Sequence, residues 1–177
     1  LLGKKAGLPV WRLLGGFSNK VKVYASGGFY NTQDDIKKLV EEMTGYVNQG
    51  FAAVKMKVGK NPRTDVERIA AVRQAIGNNI DLLVDANEAW DLNTALRFVQ
   101  AIEQYDVYWL EEPVKPDDMD GFVKLTQRSP VLIATGENEY TKYGFKDLIL
   151  NNAVNIVQPD VTRVGGITEY MKVAHFA

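Results

Sequence analysis

The chain contains no cysteine, which excludes disulfides, thiolate metal sites and a cysteine nucleophile together. It has no excess of either charge: 21 basic side chains stand against 22 acidic ones, for a formal net charge of −1. That balance argues against a nucleic-acid binder, which would carry a basic surface or stripe. No apolar run approaches the roughly 18–20 residues that a membrane span requires. The opening LLGKKAGLPVWRLLGG has lysines inside it and no clean apolar segment, so it does not read as a secretion signal, and a cytoplasmic protein is the expectation. Linkers, low-complexity segments and shifts of composition are also lacking. What is present is ordinary for one globular domain of 177 residues: 46% apolar, 24% charged and 10% aromatic side chains.

One pattern recurs along the chain. Short β-rich runs at Lys20–Ala25, Ala53–Val58, Asp81–Asp85, Val107–Glu111, Val131–Thr135 and Asn155–Gln158 alternate with amphipathic helical stretches, the mark of βαβ units around a parallel sheet. In TQDDIKKLVEEMTGYVNQG, Thr32 can cap, Ile36, Leu39, Val40, Met43 and Val47 form the apolar stripe, and Gly50 stops the helix. PRTDVERIAAVRQAIG repeats the scheme from Pro62 to Gly77. Four more helices follow, with Gly121 and Gly144 weakening the fourth and fifth of the series. Six such units exceed a small doubly wound sheet, and a closed barrel needs eight strands and about 250 residues. The expected fold is therefore a large piece of an α/β barrel, truncated at both ends.

Barrels of this kind keep their chemistry at the carboxyl ends of the strands. In Ala53-Val54-Lys55-Met56-Lys57-Val58, alternation puts Val54, Met56 and Val58 on one face and Lys55 with Lys57 on the other. An edge strand with a solvated face would give the same pattern. A lysine base pointing into the barrel is the alternative, since burial and a like-charged neighbour both lower an ammonium's pKa. The acids favour the second. Asp85 ends DLLVD, Glu111 ends VYWLE and Glu137 follows VLIATG, at two equal spacings of 26 residues, with Lys57 lying 28 before Asp85. One βα unit per step sends three acids toward one point, where they repel unless a cation sits among them. All-oxygen ligation favours a hard ion such as Mg²⁺.

VKMKVG, LLVDANEAW, YWLEEP, IATGEN and NIVQPDVTRVGGITE, in this order and spacing, resemble the mandelate racemase and muconate lactonising branch of the enolase superfamily. The resemblance covers nearly the whole chain. It implies a TIM-type (β/α)7β barrel, of which about six βα units are present, usually preceded by a capping domain. It implies Mg²⁺ held by Asp85, Glu111 and Glu137, with Lys57 as the base for a proton α to a carboxylate. Lys55 would tune Lys57 and contact the substrate carboxylate, and Asn87 would help hold that carboxylate, although a turn-forming Asn in DAN explains Asn87 as well. Asp160 resembles the acid that orients a catalytic histidine from the following strand. His175, the one histidine, falls in a helix and does not match that position. Gly165 and Gly166 fit a tight strand-to-helix turn, and Trp11, Trp90 and Trp109 fit packing, with Trp109 on the inward face beside Glu111.

These residues rank the functions. A Mg²⁺-dependent acid-sugar dehydratase comes first, because Asn87, Asn138 and Glu139 suit a hydroxylated small-molecule substrate. A racemase or epimerase of a 2-hydroxy acid, working by the same enolate chemistry, is the alternative. A non-catalytic barrel fragment is the reading from another class. The resemblance also implies a homo-oligomer.

Overall fold

Parallel pairing of each strand with its predecessor builds the molecule. The computed structural model describes residues 1–31 and 35–177. It orders six strands as β1 (Ala25–Gly27), β2 (Ala53–Lys57), β3 (Asp81–Asp85), β4 (Val107–Glu111), β5 (Leu132–Thr135) and β6 (Ile156–Val157), all parallel and in sequence order. Short helices α1 (Leu2–Ala6) and α2 (Val10–Leu13) precede the sheet. One helix then follows each strand: α3 (Asp35–Asn48), α4 (Pro62–Ile76), α5 (Leu92–Ile102), α6 (Met119–Arg128), α7 (Thr141–Leu150) and α8 (Ile167–Phe176). The fold is α/β, a run of six βα units of a barrel, with β1 and β6 as its edges among the described residues. No helix among those residues is long and apolar enough to cross a membrane.

Strand alternation sorts the side chains into two layers. Val54, Met56, Leu82, Val84, Leu110 and Ile133 face the helices and are wholly buried against Leu39, Met43, Ile69, Val72, Phe122, Leu125 and Phe145. Each such side chain contributes about 1.5–3 kcal/mol of burial, so this outer seam is the core. Lys55, Lys57, Leu83, Asp85, Trp109 and Glu111 take the other parity and point inward. One extra residue in β4 makes the phases agree. Leu82 pairs with Val107 but Leu83 with Trp109, so Tyr108 bulges out of the ladder and is left exposed. Val107 can then face the helices while Trp109 and Glu111 face inward.

Helix limits follow local chemistry. The Asn61 side chain accepts from the Arg63 and Thr64 amides ahead of Pro62, and Asp91 and Asp118 cap α5 and α6 in the same way. The glycines expected to weaken α6 and α7 do not interrupt them. A side chain at Gly121 would overlap the Asp118 cap, and one at Gly144 would overlap Glu139. The Thr32 cap lies outside the described residues. The first strand differs from expectation: it is Ala25–Gly27, and Lys20–Tyr24 makes no ladder. Ala25 already pairs with Val54 near the start of β2, so the residues before it have no strand alongside. The chain instead extends to Gly28, where a Cβ would stand 2.7 Å from that of Met56.

Candidate active site at the strand ends

The ladder places Lys57 beside Asp85 and Asp85 beside Glu111, and shared parity sends all of them to one side. Lys55 Nζ lies 2.8 Å from both carboxylate oxygens of Glu111 and 3.2 Å from Asp85 Oδ2. Lys57 Nζ donates to the same Asp85 Oδ2 at 2.6 Å and to Asn87 Oδ1 at 2.6 Å. Side-chain exposure rises from 1% for Asp85 and 2% for Glu111 to 9% for Lys55 and 19% for Lys57, so Lys57 is the member nearest solvent. The solvated edge strand is thereby excluded: β2 lies between two strands, and its lysines are paired with acids.

Lys55 is set between two acids as well as beside Lys57. Burial alone would lower the Lys55 ammonium, but the hydrogen bonds and charge of Glu111, with the charge of Asp85, hold it above its ordinary value. Lys55 is a fixed counter-charge at the floor of the site. Trp109 Nε1 donates to Glu111 Oε2 at 3.2 Å, which confirms its inward position. Gln158 Nε2, reaching from the end of β6, donates to the same oxygen at 2.9 Å. Sequence reasoning passed over Gln158, although it is the polar side chain that follows Ile156 and Val157 in NIVQPD.

Glu137 stands apart from this cluster. It is half-buried in the turn after β5, close enough for its charge to act on Glu112. Among the described residues no three acids or histidines stand close enough to enclose a metal ion; Asp85 and Glu111 share Lys55 instead. Asp160 is half-buried after β6, and its carboxylate accepts from the Thr162 amide at 2.7 Å and hydroxyl at 2.6 Å, which hold it below the usual carboxylate range. His175 is exposed on α8. Trp90 is buried against Phe98, with ring centroids 4.4 Å apart.

A family model described as enolase C-terminal domain-like matches residues 38–177. The chain belongs to the enolase C-terminal domain-like family. It is 38% identical over 178 residues to arabinonate dehydratase of Saccharolobus solfataricus, covering 100% of this chain and 48% of that protein. It matches the crystal structure of the 3,6-anhydro-D-galactonate cycloisomerase from Zobellia galactanivorans with a TM-score of 0.92 and 43% identity, over 99% of this chain and 49% of the other. L-Talarate dehydratase from Polaromonas sp. JS666, solved with Mg and L-glucarate, gives a TM-score of 0.93 at 34% identity, over 100% and 50%. The chain thus spans about half the length of the relatives it matches.

Around the lysine–acid cluster, this enolase-like domain holds its loops in unusual backbone. Asn87, Glu88 and Glu112 all have positive φ, at 42°, 65° and 43°. Non-glycine residues keep that conformation only where the surroundings dictate it. Here the Glu88 amide donates to the Glu112 carbonyl at 2.7 Å, and the Asn138 side-chain amide bonds Glu88 Oε1 at 2.8 Å and Glu112 Oε1 at 3.0 Å. Arg163 in turn bonds Asn138. Asn138 therefore straps three strand ends together, and its amide is engaged by protein rather than free for a substrate. Glu112 is pushed up to about 7 by burial and by the charges of Glu137, Glu88 and Asp85. The Gly165–Gly166 turn is confirmed, with φ of 107° and 90° immediately before α8.

Proposed function

We propose that the chain is the catalytic part of a Mg²⁺-dependent lyase that removes the proton α to the carboxylate of an acid sugar and eliminates water. The observation that carries this is the neutral cluster of Lys55, Lys57, Asp85 and Glu111 at the strand ends, with Lys57 outermost. The names of the relatives, a sugar-acid dehydratase and a sugar-acid cycloisomerase among them, support the substrate class.

The donor chemistry fits a hard cation. Asp85 and Glu111 are buried carboxylates that already draw two ammonium groups toward them, and Glu137, in the turn after β5, would have to swing in to supply a third oxygen donor. These three residues would hold Mg²⁺, which would supply Lewis-acid stabilisation of charge on the substrate carboxylate. A lysine or histidine base working beside Mg²⁺ is the general chemistry of the enolase superfamily. In this chain Lys57 is the base. Its Nζ lies toward the mouth, and once protonated it is stabilised by Asp85 Oδ2 and Asn87 Oδ1, both at 2.6 Å. Lys55, fixed below it, offsets the charge of Asp85 and Glu111 so that an anionic substrate can approach. Phe29, whose ring centroid lies 5.9 Å from Lys57 Nζ, bounds the same opening. Asp160 belongs to the proposal as the partner of a histidine outside these residues.

Incubation of the full-length enzyme with acid sugars in D₂O tests the assignment. Lys57→Met should abolish deuterium incorporation at the α-carbon while substrate binding persists. Incorporation at the unmodified rate would place the base elsewhere.

A further inference from the structure

The two oxygens of Glu111 are not equivalent. Among the described residues Oε2 accepts from Lys55 Nζ at 2.8 Å, Gln158 Nε2 at 2.9 Å and Trp109 Nε1 at 3.2 Å, whereas Oε1 accepts only from Lys55 Nζ, at 2.8 Å. A carboxylate oxygen with three donors has no lone pair left to offer, so any further cation must approach Oε1. The geometry points to Gln158 as a positioning residue that, together with Trp109, clamps Oε2 of Glu111 and presents Oε1 as the atom that takes the divalent cation. This rests on the reading of Glu111 as a metal ligand.

Three features of Gln158 support the assignment. Its side chain crosses from β6 over β5 to reach β4, so the contact is not local. Its amide can face Glu111 only one way round, because the opposite orientation would set Oε1 against a carboxylate. In that orientation Oε1 is buried with no donor among the described residues. A leucine would fill the space without leaving a buried acceptor unmet, so packing alone does not account for a glutamine here. Groups that orient a metal-bound carboxylate by hydrogen bonding commonly set metal affinity by about 10–100-fold.

Titration calorimetry with Mg²⁺ on the full-length protein, wild type against Gln158→Leu, tests this. Gln158→Leu should lose about 10–100-fold in Mg²⁺ affinity. Mn²⁺ bound in place of Mg²⁺ should give an altered electron paramagnetic resonance pattern, since Glu111 is free to turn. A merely structural residue would leave that pattern unchanged. Trp109→Phe, which removes the other neutral donor to Oε2, should shift both readouts in the same direction and decides the matter if Gln158→Leu does not fold. Glu111→Gln separates the metal site from its positioning. If wild type binds no Mg²⁺, or Glu111→Gln binds it equally well, the metal reading fails. If Glu111→Gln loses Mg²⁺ but Gln158→Leu and Trp109→Phe bind it within twofold with an unchanged Mn²⁺ spectrum, the role given to Gln158 is overturned.

Discussion

At the scale of single residues, burial decides what each charge can do. Lys55 is the ammonium partner of Glu111, which is almost wholly enclosed, so its removal strands that carboxylate rather than merely deleting an attraction, while Asp85 keeps Lys57. Breaking one side of a buried pair costs about 3–5 kcal/mol. Lys55→Met should therefore lower the thermal midpoint of the metal-free protein by roughly 10 °C, measured by scanning calorimetry; an unchanged midpoint would mean that Glu111 finds other partners. Glu112 behaves in the opposite sense. Its folded-state pKa is raised to about 7 from 4.5, so between those values the native state holds the extra proton and stability falls as pH rises. Above that window the ionised carboxylate costs on the order of 3 kcal/mol. Glu112→Gln should flatten the decline in stability between pH 5 and pH 8 in denaturant melts of the metal-free protein. A decline as steep as that of the wild type would assign it to other groups.

At the scale of elements, the loops at the strand ends are built against one another. Gly59 follows β2 with φ of 113°, and a Cβ there would stand 2.7 Å from the Ala86 carbonyl oxygen and 2.8 Å from the Ala89 Cβ. Gly59→Ala should cost at least about 2 kcal/mol, because left-handed strain and a clash with the loop after β3 act together; a circular-dichroism melt within error of wild type would show that the loop can give way. The alternation that carried Lys55, Lys57, Asp85 and Glu111 inward was legible in the sequence, because period two and a spacing of one βα unit are local facts. What was not legible depended on partners. The first strand was misplaced because its length is set by where β2 begins. Gln158 and Asn138 were undervalued because an amide shows its role only when the groups facing it are known. The charge state of Lys55 was hidden for the same reason: the spacing brought lysines near acids, but only the distances show that attraction to Glu111 and Asp85 outweighs burial.

At the scale of the whole molecule, the hydrophobic seam between sheet and helices holds β1 to α8, and the N-terminal helices stand outside it. Neither α1 nor α2 contains a buried residue. Segments with no buried side chains open and are cleaved first. Limited trypsin treatment should therefore cut at Lys4, Lys5, Arg12, Lys20 or Lys22 before any site between Lys55 and Arg128, as read by intact mass. Early cleavage inside α4 would show that the seam is weaker than its packing implies. The sheet order carries a consequence for how the chain is made. Each strand pairs only with strands next to it in sequence: Val54 meets Leu82 after 28 residues, Asp85 meets Glu111 after 26 and Glu111 meets Ala134 after 23. A chain emerging from the ribosome N-terminus first offers each new strand a docked predecessor within one short loop closure. Lys55 and Asp85 can therefore meet before Glu111 is synthesised, and the site assembles in the order in which its residues are translated.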